Sequence, residues 1–162
     1  MKDLLLKLKA CKEAIEWAGD KTAEEVIATC HRGDWLLWLS YKLEVDDRPL
    51  ALAKGHCANT VRHLMKDERS IKAVDAAIAY GNGEISKEEL KDAAYAAASA
   101  YYAGVFAAYA SAAADAASYC AAAAYTAACS AAAAAAEKAL NQLKTADICR
   151  KYLGKLILKK LC

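Results

Sequence analysis

The sequence predicts an all-α fold, one domain of 162 residues in which short antiparallel helices pack on a long alanine-rich helix pair. Three observations lead there. The stretch from Ala93 to Ala136 is more than half alanine, carries Asp115 as its only charge and contains no proline; alanine has the best intrinsic helix propensity. Ahead of it, helix-start signals alternate with glycine stops at short spacing. Nothing in the chain demands a strand.

The first helix is expected over Asp3 to Ala18, with Leu4, Leu5, Leu8, Cys11 and Ile15 on one face and lysines on the other, ended by Gly19. Thr22 and Glu25 form a capping box, in which each side chain accepts a hydrogen bond from an otherwise unpaired backbone N–H. They start a short helix through Val26, Ile27 and Cys30 that stops at Gly33. Asp34 is the expected N-cap of a third helix, Trp35 to Leu43, dense enough in Trp and Leu to be buried almost all round. Asp47, Arg48 and Pro49 start a fourth helix reaching about Lys66, since proline is tolerated in a first turn. Ser70 opens a fifth through Tyr80, and Gly81, Asn82 and Gly83 form a turn.

Ser86 and Glu89 make a second capping box, so the alanine-rich helix begins near Lys87. A single rod from there to Leu143 would be about 85 Å long, too long for a compact domain of this size. A break is therefore expected between Ser111 and Ser118, where two serines and Asp115 can cap a new start. Beyond it Thr145 is the expected cap of a last helix carrying Ile148, Tyr152, Leu153, Leu156 and Ile157 on its apolar side.

Composition narrows the function classes. Alanine inflates the 57% hydrophobic fraction, and mean hydropathy is only +0.05. The two alanine-rich halves are long enough to span a bilayer but poor in strongly apolar side chains, so no membrane span is expected. Lys7 and Lys9 interrupt the N-terminal leucines, which argues against a signal peptide and for the cytoplasm. The seven cysteines form no C-x-x-C pair and are expected to be free, mostly buried thiols. Net charge is +2, with about +5 from Glu137 to Cys162, seven basic residues against two acidic, and about −3 elsewhere.

No arrangement of residues points to catalysis. His56 and His63 share one expected helix but stand two turns, about 10.5 Å, apart, too far for easy joint metal ligation. Cysteine beside histidine, at Cys30 and His31 or His56 and Cys57, puts the two side chains on different faces. There is no phosphate loop, nucleophile elbow or zinc-protease motif, and no cofactor is expected.

Binding residues are easier to nominate. Tyr95, Tyr102 and Tyr109 recur every seven residues along one stripe, with Tyr125 on the second half, and alanines between them leave grooves. These rings are either the bulky part of the core or the lining of a ligand groove. Asp115 either caps the helix break or faces that groove. Arg32, just before a helix start, and Arg62 suit an anion. The C-terminal helix alternates basic and aliphatic residues and is expected to dock on its own bundle.

Cys11 and Trp17, the string from Cys30 through His31, Arg32, Gly33, Asp34, Trp35, Leu36, Leu37 and Trp38 to Leu39, and the ending Ala146, Asp147, Ile148, Cys149, Arg150, Lys151, Tyr152 are similar to a family of small bacterial and phage proteins labelled immunity proteins. With the alanine-rich segment, the likeness spans most of the chain. It carries no catalytic residues, and this chain has tyrosines and cysteines where relatives tend to have arginine, histidine or tryptophan among the alanines. The resemblance implies neutralisation by binding in the conflict between bacteria, toxins and phages. The expected target is a small anionic, nucleotide-like ligand; the alternative is a protein toxin. A nucleic-acid polymer is not expected. Uncovered alanine faces favour a homo-oligomer.

Overall fold

The structure, a computed structural model, describes residues 1–65, 67–102 and 135–161. It is all-α, and no strand occurs among the described residues. The helices are α1 (Lys2–Lys7), α2 (Lys12–Ala18), α3 (Ala23–Thr29), α4 (Gly33–Lys42), α5 (Asp47–Asn59), α6 (Glu68–Asn82), α7 (Lys87–Tyr102) and α8 (Ala135–Leu161), with a 3-10 turn at Arg62–Leu64. Helix α8 packs on α3, α4 and α5, while α5, α6 and α7 pack in succession.

The start signals act as their chemistry requires. The Thr22 and Glu25 box closes with both hydrogen bonds, 2.8 Å and 3.2 Å, and the Ser86 and Glu89 box does the same at the head of α7. Gly19, at φ 49°, ends α2. The expected break between Ser111 and Ser118 lies outside the described residues.

Five boundaries depart from the sequence reading. The first helix is two: α1 ends in a Schellman turn, with the Lys9 N–H on the Leu6 carbonyl and the Ala10 N–H on the Leu5 carbonyl. That turn lets Leu5 on α1 and Ala14 and Ala18 on α2 all face inward. Helix α3 stops at Thr29, and Gly33 opens α4 rather than closing α3, so Asp34 lies inside the first turn and Arg32 takes the cap position. Helix α5 ends at Asn59, which puts His63 in the 3-10 turn and off the helix of His56. Helix α6 starts earlier than Ser70, because the Asp67 carboxylate caps it through the Arg69 N–H at 2.8 Å, and it continues through Gly81 and Asn82 to Gly83.

The fifth departure is the largest. Thr145 caps nothing: it is fully buried in the middle of one 27-residue helix, α8. Its N–H groups need no cap there, because the turn before it is already helical. One stripe of α8, namely Thr145, Cys149, Leu153 and Ile157 at four-residue spacing, is wholly buried with Ala146 beside it. Burying each of the two large aliphatic side chains contributes about 1.5–3 kcal/mol. The C-terminal helix therefore docks on its own fold by that stripe.

Two cross-ties fix the frame. Arg150 on α8 donates through Nη1 to the Cys30 carbonyl at 2.6 Å, satisfying an acceptor left open at the end of α3. Arg48 on α5 donates through Nη1 to the Tyr80 carbonyl near the end of α6, also at 2.6 Å, where that oxygen already accepts from the Gly83 N–H, and its guanidinium lies 4.6 Å from the Tyr80 ring centre. Helix α4 is half-buried rather than buried all round: Leu36 and Leu39 are inside, while Trp35, Leu37 and Trp38 each keep one side open.

Candidate functional site

The opening between α1, α2, α3 and α4 is a cavity of about 270 Å³. Its walls are mainly apolar, with Leu5, Ala14, Trp17, Trp35 and Trp38 among them, and its polar residues include Cys11, Arg32 and Asp34. The Schellman turn after α1 makes room for it, since that turn swings Ala10 and Cys11 to one wall.

Aromatic contacts order the floor. Trp17 and Trp35 stand 5.8 Å apart, and His31 meets both edge-on at 5.6 Å and 5.8 Å. Each tryptophan also carries a cation: Lys21 Nζ lies 4.7 Å from the Trp17 ring, and the Arg32 guanidinium 4.7 Å from the Trp35 ring. Such rings are held in place before any ligand arrives.

Among the described nominated residues, Arg32 is the one that lines this cavity. It takes the cap position of α4, where Asp34 grips it. Nε donates to Asp34 Oδ1 at 2.9 Å and Nη2 to Oδ2 at 2.6 Å, while Glu13 Oε1 lies 3.5 Å from Nη1. The Asp34 hydrogen bonds push the Arg32 pKa up further, so the guanidinium is permanently charged.

The other nominees lie elsewhere. Arg62 sits in the 3-10 turn, donates to both carboxylate oxygens of Asp75 and does not line the cavity. That pairing holds the Asp75 carboxyl below the usual carboxylate range. Tyr95 is on α7, 47% exposed and away from the cavity. Tyr102 is the last residue of α7, and its side chain lies outside the described ones; Tyr109, Asp115 and Tyr125 lie wholly outside the described residues.

The buried thiols offer no reaction centre. Cys57 and Cys149 touch at 3.8 Å between α5 and α8, and Cys149 also points at the Gly33 carbonyl at 3.5 Å. Hydrogen bonding to Cys57 and then burial push the Cys149 pKa far up, and burial raises that of Cys30. Neutral thiols at such depth are inert packing. Among the described residues no cluster of His, Cys, Asp or Glu could hold a metal, and no helix is long and apolar enough to cross a membrane.

Sequence reasoning missed Trp17, Trp35 and Trp38 as a site. The signal was present: these are the chain's three tryptophans, and two lie within the ten-residue string from Cys30 to Leu39. Tryptophan is seldom buried on every side, so several together on short helices mark a partly open cluster. No protein-family model, curated protein or solved structure matches the chain.

Proposed function

We propose that this chain is a non-catalytic binding protein that sequesters a small, ring-bearing ligand in the tryptophan-walled cavity. One observation carries the reading: three indole rings and a preset guanidinium converge on a single cavity of about 270 Å³. Small-molecule sites are concave, mostly apolar and supplied with a few fixed polar groups, and this cavity has that composition. A nucleotide-like ligand would set its base among the tryptophans and its anionic group towards Arg32. The resemblance to immunity proteins supplies the setting, neutralisation of an immune signal in the conflict between bacteria and phages. The protein acts in the cytoplasm on this reading, as a homo-oligomer.

A second reading is a protein partner such as a toxin. Leu140 and Leu143, close to one turn apart on α8, are 54% and 48% exposed and would suit such a contact.

Native mass spectrometry of the purified protein, then thermal-shift titration with linear and cyclic nucleotides, separates the two. A co-purified small mass or a ligand-dependent rise in melting temperature supports sequestration. A bare mass and no shift across the panel moves the function to a protein partner, to be sought by pull-down.

A further inference from the structure

The charges around Arg32 are unequal. Arg32 and Asp34 line the cavity with one positive and one negative charge, and Glu13, which does not line it, reaches Arg32 from beside it as a second negative charge. The two carboxylates are not held alike. Asp34 is clamped by two hydrogen bonds to Nε and Nη2, whereas Glu13 is 70% exposed and reaches Nη1 only at ion-pair distance, 3.5 Å. Nη1 thus makes no hydrogen bond among the described residues, while the rest of the guanidinium is locked against Asp34 and stacked on Trp35. Neither Lys12 nor Lys21 lines the cavity, and Lys21 donates to the Trp17 carbonyl.

An oxyanion arriving at Nη1 can replace Glu13, which then swings into water. After that exchange the mouth holds Arg32, Asp34 and the ligand. One ligand charge restores the balance that Glu13 provided; a second would sit beside Asp34 without a cation of its own, and like charges that close disfavour each other. The cavity volume, at the small end for ligand sites, suits one flat bicyclic ring.

We infer that the cavity selects a flat ring of purine or indole size bearing a single negative charge, either a phosphodiester or a carboxylate, whose oxygens displace Glu13 from Arg32 Nη1. The inference rests on the reading of this cavity as a small-ligand site. It separates a phosphodiester or carboxylate from a terminal phosphate, which carries nearly two charges.

Titration calorimetry and tryptophan fluorescence on the full chain test it with two matched series. The first is adenosine, 3′,5′-cyclic AMP, AMP and ADP; the second is indole-3-propionate and its neutral amide. The single-charge member of each series should bind about ten-fold more tightly than its neutral counterpart, the effect of one hydrogen bond to a charged group, and cyclic AMP or indole-3-propionate should lead its series. E13Q, at an exposed position, should raise that affinity several-fold, and R32M should reduce it to the level of the neutral ligand. Equal binding of neutral and singly charged members, tighter binding of AMP or ADP than of cyclic AMP, or no gain in E13Q overturns the inference and leaves the small-ligand site standing. Silence from every member of both series removes the site reading, and the inference with it. If R32M does not fold, E13Q still decides between these outcomes.

Discussion

Gly33 at the head of α4 and Thr145 in the middle of α8 meet without a gap: a Cβ on Gly33 would stand 2.6 Å from the Thr145 carbonyl carbon and the same distance from its Cβ. Real carbon atoms do not approach so closely, so the glycine is there for lack of a side chain. The contact also seats Arg32 and Asp34, the residues on either side of Gly33, at the cavity mouth.

Gly33→Ala should therefore destabilise the fold by about 1–3 kcal/mol, the range for forcing an extra methyl into a filled core. Urea denaturation at fixed pH reads this directly. Thr145→Ala in the same chain should not restore the loss, because the backbone carbon of residue 145 is itself in the way. A full rescue would show that only the threonine side chain obstructs.

Lys9 and Glu44 hold left-handed backbone, φ 59° and 51°, at the turns that end α1 and α4, a conformation that disfavours a Cβ. Glycine occupies the equivalent position after α6, Gly83 at φ 85°. Lys9→Gly and Glu44→Gly should each stabilise by up to about 1 kcal/mol, offset in part by the entropy of a freer unfolded chain. A raised urea midpoint with an unchanged slope is the expected result.

His56 lies flat on the Tyr152 ring, centres 5.0 Å apart and planes within 2°. Burial, and then the nearby Lys151 charge, hold its pKa below the ordinary 6.5. The unfolded chain then binds the proton more readily than the folded one. This contribution to stability is full above pH 6.5 and is lost as pH falls from there through the lower folded value. Unfolding curves from pH 7.5 to pH 5 should show that slope, and His56→Phe should flatten it.

Cysteine labelling checks the burial pattern. Cys11 is exposed, whereas Cys30, Cys57 and Cys149 are buried. Iodoacetamide on the native protein should modify Cys11 alone among these four, with the others reacting only in denaturant, as peptide mass mapping can show. A ring seated in the cavity should slow the Cys11 reaction, since Cys11 forms part of the wall.

The helices were legible wherever the signal was local. Thr22 with Glu25 and Ser86 with Glu89 are completed by atoms three residues apart, so the sequence contains both partners of each bond. Asp34 and Thr145 look like caps by the same reasoning, yet Arg32 takes the first as an ion-pair partner and the α4 backbone buries the second. Of the nominated ligand residues whose side chains are described, Arg32 alone lines the cavity. The tyrosine stripe stands out in the sequence by its regular spacing, whereas the tryptophans come together from α2 and α4, separated by loops whose direction no periodicity encodes.

The sequence by itself determined the fold class, the capping-box starts at Thr22 and Ser86, and the place of Leu153 and Ile157 on the inner side of α8, because propensity, capping and amphipathic spacing act within a few residues along the chain. Only the tertiary structure decided where α1 ends, which glycine meets which helix, and that Trp17, Trp35, Trp38 and Arg32 share one cavity. Those outcomes depend on steric fit between helices far apart in sequence, as where the Gly33 backbone meets Thr145, and on the choice Arg32 makes between water and Asp34.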